Sequence, residues 1–216
     1  LIDGRPFRAY INNTGRLLEF MVKGRKAYCI ERRRPGKTKY RLFAIHDMNA
    51  GALIDTWFQS VAFERAVSME LIPWLDRCRL VKRNVKLYSS VIDYLLMCDG
   101  EPFYLETKSA VFRGNSYFAM YPDCPTERGR RHLKTLIKHV LSGGRGGILF
   151  IAALPNVRAF KPYVEGDPEV FKLLLKGIEV GVEVRAISMY YDPKSSTVKL
   201  TDANMDVHLY ASNHFK

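Results

Sequence analysis

Seven consecutive apolar residues, Ile148 to Leu154, limit the possible folds more than any other stretch of this chain. A strand that is apolar at every position, rather than at alternate ones, has no face to offer water, so both faces must be covered. Helices packed over a sheet meet that need, and the flanking sequence supplies two. Thr126 to Leu141 carries Leu133, Leu136, Ile137 and Val140 at helical spacing and stops at Gly143-Gly144. Asp167-Pro168-Glu169 opens another helix with a capping aspartate, a proline in the first turn and an acid facing the helix dipole. Phe171, Leu174, Leu175 and Ile178 are its expected buried stripe, and Gly181 ends it. The apolar run is also far short of the roughly 20 residues that cross a bilayer, so no membrane partner is expected.

Around this strand the pattern continues as an α/β sandwich. Gln59 to Trp74 reads as a helix whose apolar face holds Val61, Ala62, Ala66, Val67 and Leu71. Arg79–Tyr88, Val91–Cys98 and Pro102–Lys108 read as successive strands, the last two joined by the hairpin signal Asp99-Gly100. Val182–Tyr191, Val198–Leu200 and Asp206–Tyr210 close the chain as strands. Upstream, short β-forming segments (Phe7–Asn12, Ala27–Glu31, Tyr40–His46, Ala52–Asp55) alternate with turn chemistry at Asn13-Thr14-Gly15, Pro35-Gly36 and Asn49-Ala50-Gly51. Such spacing suggests a small OB-like β-barrel. That fold has five strands, so a further one is expected upstream of Leu1, which is not an initiator methionine and follows no signal-peptide pattern. The expected fold class is therefore mixed α/β, α+β overall: an OB-like unit over 1–56, and the sandwich over 57–216.

Charge narrows the function. Lys and Arg total 34 against 22 Asp and Glu, a net +12. Between Lys23 and Arg41 there are nine basic residues and one acid, a net +8 in 19 residues, with Tyr28 and Tyr40 interleaved. Cations laid on a phosphate backbone release counterions, and aromatic rings offer unpaired bases a stacking face. Two further basic clusters lie at Arg77–Lys86 and Arg128–Lys138. A polyanionic partner explains three such patches; a solvated surface is the plainer account of any one of them. With 47% hydrophobic and 12% aromatic residues, general disorder is excluded. The four cysteines (Cys29, Cys78, Cys98, Cys124) show neither zinc-site nor disulfide-framework spacing, so they are expected to be free thiols of a cytoplasmic protein.

The hairpin brings chemistry together. A two-residue turn at Asp99-Gly100 sets Asp93 opposite Glu106, and alternation puts Lys108 on the same face as Glu106. Two carboxylates side by side repel unless a cation lies between them. Mg²⁺ accepts one or two carboxylates, keeps waters and takes phosphate oxygens, so Asp93 and Glu106 are expected metal ligands for Mg²⁺ or Mn²⁺. Lys108 is placed to hold the attacking water or the scissile phosphate, and Glu64 or Glu70 to add an outer ligand. An ordinary cross-strand charge cluster is the alternative. The helix start beyond Tyr121, with Arg128, Arg130, Arg131 and His132 around it, reads as a phosphate-binding end. Asp123 reads as a turn cap.

These residues resemble the sugar fermentation stimulation protein family (SfsA) over nearly the whole chain. Asn13-Thr14-Gly15-Arg16-Leu17, Ser90-Val91-Ile92-Asp93-Tyr94, Glu106-Thr107-Lys108-Ser109 and the long segment from Tyr121-Pro122-Asp123-Cys124-Pro125 to Leu133 carry the resemblance. It departs from the family pattern at Asn12, where a proline is usual, and at Val91, where an arginine is usual. The resemblance implies an N-terminal OB-fold and a restriction-endonuclease-like, PD-(D/E)XK nuclease-like domain in which Asp93, Glu106 and Lys108 match the metal-binding acids and the lysine. It also implies DNA binding without strong sequence preference and a role in regulating sugar-utilisation genes.

The sequence thus predicts a cytoplasmic DNA-binding protein with catalytic Asp93, Glu106 and Lys108. Arg16, Arg32, Arg33, Arg34, Lys37, Lys39, Tyr40, Arg41, Arg128, Arg130, Arg131 and His132 are the expected nucleic-acid contacts. A non-enzymatic DNA-binding regulator is the rival, and RNA the other candidate polymer.

Overall fold

The computed structural model describes residues 1–2, 4–34, 36–114 and 117–209. The strands are β1 (Ala9–Tyr10), β2 (Ala27–Glu31), β3 (Tyr40–Asp47), β4 (Ala50–Leu53), β5 (Cys78–Leu87), β6 (Ser90–Cys98), β7 (Glu101–Ser109), β8 (Phe118–Tyr121), β9 (Arg145–Ala152), β10 (Ala159–Pro162), β11 (Glu183–Asp192) and β12 (Thr197–Val207). The helices are α1 (Thr56–Ser68), α2 (Glu127–Leu141) and α3 (Pro168–Glu179), with a 3₁₀ turn at Pro73–Leu75. The sheet runs β1-β3-β4-β11-β9-β7-β6-β5, with β2 paired to β3 and β12 to β11, so the N-terminal strands continue the sheet of the larger unit. β8 and β10 form a short parallel strip that joins through β12. The fold is mixed α/β, mostly sheet.

The all-apolar segment lies where its composition demands. β9 pairs in parallel with β7 on one side and β11 on the other, and every residue from Ile148 to Leu154 is at most 2% exposed. The β6–β7 hairpin takes the register set by Asp99-Gly100: Tyr94 opposes Leu105, and Cys98 opposes Glu101. The strand expected at 198–200 and the start of the one expected at 206–210 belong to a single strand, β12, which ends at Val207 and whose pairing with β11 shifts register near Ser188. Tyr210 lies outside the described residues, as does Pro35 of the expected Pro35-Gly36 turn. Among the described residues no helix is long and apolar enough to cross a membrane.

Helix ends follow their caps rather than their apolar stripes. α1 starts three residues before Gln59 because Asp55 accepts from the N–H groups of Trp57 and Phe58. Its buried residues are Gln59, Phe63 and Ala66, whereas Val61 is 37% exposed. In α3 the buried stripe is Val170, Leu173, Leu174 and Gly177; Leu175 and Ile178, expected inside, are each 38% exposed. Both segments carry more apolar side chains than one stripe needs, so counting them left the rotation of the helix open.

The thiol expectation is overturned at one pair. Cys78 and Cys98 are disulfide-bonded. They are 20 residues apart in sequence, yet the antiparallel β5–β6 ladder sets them directly opposite, Cα atoms 4.1 Å apart. Cys29 and Cys124 remain free.

Candidate functional site

Past Tyr94 and Leu105, side chains take over the strand hydrogen bonds of the β6–β7 hairpin. Glu106 Oε2 accepts from the backbone N–H of Asp93 at 3.2 Å. Asp93 Oδ2 accepts from the Thr107 N–H at 2.9 Å and from Thr107 Oγ1 at 2.6 Å. Glu106 Oε1 is contacted by both Lys108 Nζ and His132 Nδ1, and those two nitrogens are 3.5 Å apart. Glu106 is 1% exposed and His132 2% exposed. His132, expected among the surface phosphate contacts, therefore reaches inward from α2 to the acid cluster.

Burial and the Glu106 charge push the Asp93 carboxyl above its usual range, against Lys108 and the Thr107 hydrogen bonds. Burial acts on Glu106 in the same sense, but Lys108 and His132 outweigh it and hold that carboxyl below its ordinary value. Lys108 is desolvated, yet Glu106, Tyr121 and Asp93 keep its ammonium charged to higher pH than usual. One carboxylate is thus committed to the charged form, while its neighbour experiences it as repulsion.

Asp93, Glu106 and Lys108 line one cavity of about 540 Å³. Its walls come from segments far apart in sequence: Asn12 to Gly15, then Thr56, Gln59 and Ser60 at the start of α1, and Tyr121 to Gly129 leading into α2. Asp123 joins two of these walls. Its Oδ2 accepts from the Leu17 N–H at 3.1 Å, and a Cβ on Gly15 would stand 3.1 Å from each carboxylate oxygen, closer than an ordinary contact, so the glycine eases this approach. Asp123 is an interdomain clasp as well as a turn residue. At Gly129 a Cβ would stand 2.7 Å from Tyr121 Oη, so the missing side chain keeps the cavity wall open.

Asp167, buried at 1% exposure, fixes the start of α2 from outside the cavity. It accepts from the Thr126 N–H at 2.9 Å and from Arg130, while capping α3 through the Glu169 and Val170 N–H groups. The sequence shows Asp167 as the cap of α3, but neither its hold on the start of α2 nor the clasp role of Asp123 is visible there, because those partners lie tens of residues away. Glu64 and Glu70, proposed as outer ligands, do not line the cavity. Glu64 accepts from Tyr94 Oη and pairs with Arg83, and Glu70 sits beyond the end of α1 with φ +57°.

The expected nucleic-acid residues divide by environment. Arg16, Arg33, Arg34, Lys37, Lys39, Arg128 and Arg131 are exposed. Arg32 and Arg41 both lie over the Tyr10 ring, and Tyr40 packs edge-on against Phe7 at 5.2 Å. Arg41 is bidentate to buried Asp55, at 2.6 and 2.9 Å, and Arg130 is held by Asp167. Those two guanidiniums have structural partners.

An OB-type unit whose sheet runs on into an α/β unit, with an acid–lysine cluster walled by both, defines the class. Residues 1–54 match the family model "SfsA N-terminal OB domain" and residues 58–195 match "Sugar fermentation stimulation protein RE domain". The sugar fermentation stimulation protein homolog of Pyrococcus furiosus is 49% identical over 191 residues, covering 88% of this chain and 82% of the relative. That of Archaeoglobus fulgidus is 47% identical over 190 residues, covering 88% and 81%. A solved structure, described as Pyrococcus furiosus SfsA in complex with Ca²⁺, aligns with TM-score 0.90 at 45% identity over 95% of this chain and 87% of that one. The chain belongs to the sugar fermentation stimulation protein family.

Proposed function

We propose that this protein is a DNA-binding, metal-dependent phosphodiesterase of the PD-(D/E)XK kind, acting on the DNA of the cytoplasm without strong sequence preference. The convergence of Asp93, Glu106 and Lys108 in one cavity carries this reading. The donor set suits a hard divalent cation. Asp93 Oδ1 has no hydrogen bond among the described residues, and a cation would offset both the burial and the Glu106 charge that raise the Asp93 carboxyl. Among the described residues no three His, Cys, Asp or Glu side chains form a metal cluster, so water and a phosphate oxygen would complete the shell, as Mg²⁺ or Mn²⁺ prefers. The relative solved with Ca²⁺ supports a divalent site.

A bound cation supplies an acidified water and offsets charge on the phosphate. The chain's own residues do the rest. Lys108, held charged, offers its ammonium to the attacking water or a phosphate oxygen. His132 fixes the Glu106 carboxylate by contact with Oε1. The exposed cations Arg33, Arg34, Lys37 and Lys39, with Arg128 and Arg131 of α2, hold the polyanion, so affinity falls steeply with salt.

The test is incubation of labelled DNA with Mg²⁺ or Mn²⁺. Products that disappear with EDTA and in Glu106→Ala support the reading; cleavage undiminished in Glu106→Ala rejects it. One observation favours a non-enzymatic regulator of sugar-utilisation genes instead: both Glu106 oxygens already have partners. That reading expects DNA affinity that survives EDTA and no products with either metal.

A further inference from the structure

Beside the cavity mouth lies a cluster that hydrolysis does not use. Tyr10 of β1 stands cross-strand from Arg41 of β3. The Arg41 guanidinium lies over both the Tyr10 ring, at 5.5 Å, and the Trp57 ring, at 4.8 Å. Its two bonds to Asp55, itself the cap of α1, fix that arrangement. Yet Tyr10 is 41% and Trp57 46% exposed. An indole and a phenol so exposed, rigidly mounted and flanked by Arg32, are neither core nor ordinary surface.

Continuity with the cavity is direct. Tyr10 Oη donates to Asn12 Oδ1 at 3.1 Å, and Asn12 Nδ2 donates to Thr56 Oγ1 at 3.0 Å. Asn12 and Thr56 both line the cavity, and Trp57 follows Thr56. Glu106 and Lys108 lie deep: Glu106 is 1% exposed and the Lys108 side chain 10%. Bases in a duplex are stacked on one another and have no free face, whereas an unpaired strand stacks its bases on aromatic rings and bends its backbone into a recess.

We propose that the substrate of this site is an unpaired polynucleotide strand, whose bases stack on Tyr10 and Trp57 while its backbone enters the cavity past Asn12 and Thr56. This rests on the nucleic-acid reading above but not on hydrolysis. Arg32, Arg33, Arg34, Lys37 and Lys39 supply the complementary charge on the same hairpin.

The test is a binding titration in EDTA, so that cleavage plays no part, with one labelled oligonucleotide presented as single-stranded DNA, as RNA of the same sequence, and as duplex DNA. Tighter binding of either single strand than of the duplex supports the proposal, and the tighter strand names the polymer. Tyr10→Ala and Trp57→Ala should each weaken single-strand binding about tenfold or more and leave duplex binding unchanged. The chain has two tryptophans, and Trp74 is tied to the Ala203 carbonyl at 2.9 Å. Quenching of tryptophan emission by the single strand should therefore vanish in Trp57→Phe, which keeps a ring and its packing. Duplex binding as tight as single-strand binding, or quenching intact in Trp57→Phe, overturns it. A protein that binds single strands with this preference but never cuts loses the phosphodiesterase reading and keeps this one.

Discussion

Glu106 accepts the backbone N–H of Asp93 at 3.2 Å, in the position where the next rung of the β6–β7 ladder would otherwise form. The Asp93 carboxylate does the same for the N–H of Thr107, at 2.9 Å. Each acid thus replaces a strand hydrogen bond, which opens the hairpin and turns the carboxylates toward the cavity. Glu106→Gln keeps the shape but removes the charge. Cleavage should fall about 10³-fold, the loss of several kcal/mol of electrostatic stabilisation. Mn²⁺ binding by calorimetry should weaken in parallel, while Lys108, left without its buried counter-charge, should cost about 3 kcal/mol of stability.

Lys108→Met separates binding from chemistry. The thioether fills much of the same space without a charge, so divalent-ion binding should persist while product formation drops by about 10² or more. Metal titration alongside a cleavage assay reads both. Equal loss of the two would place Lys108 in metal retention only.

Asp123→Ala removes the acceptor of the Leu17 N–H. A charge-assisted hydrogen bond contributes about 2 kcal/mol, so chemical denaturation should show a loss of that order. Cleavage should fall further than the lost stability explains, because one cavity wall is released.

Reduction should reveal the Cys78–Cys98 cross-link. In the chain-entropy account a loop of this length stabilises by about 3 kcal/mol. Unfolding in dithiothreitol should shift to lower denaturant, and Cys78→Ser should show the same midpoint with or without reductant.

His139 gives an acid-side prediction. Burial holds its imidazole below the ordinary value of 6.5, and its Nε2 has no hydrogen-bond partner among the described residues. The unfolded chain therefore binds the proton first. Stability from this group is complete above about pH 6.5 and is lost as pH falls toward the depressed folded value. Denaturation midpoints from pH 8 to 5 should fall more steeply for the native chain than for His139→Gln.

Local chemistry made the hairpin, the buried strand and the acid–lysine pairing legible. Asp99-Gly100 fixes a register, seven apolar residues fix a burial, and alternation puts Glu106 beside Lys108. What stayed hidden depends on distant partners. Nothing in the segment around Asp123 says that Leu17 will donate to it across 106 residues. His132 and Arg128 look alike as helix-start cations until packing turns one toward Glu106. Arg41 reads as another phosphate contact until Asp55, 14 residues on, claims its Nε–Nη2 edge. The Cys78–Cys98 bond needs the β5–β6 register, and that strand pair lacked the sharp turn signal of the next one.

The clasp at Asp123 also bears on how the protein can be cut apart. A fragment starting after Leu53 would keep both acids and the lysine but lose the Asn12–Gly15 wall, so its acid–lysine cluster would lie open to solvent. Modularity in this protein therefore stops at the level of sequence: the two halves are recognised separately, but the cavity needs walls from both.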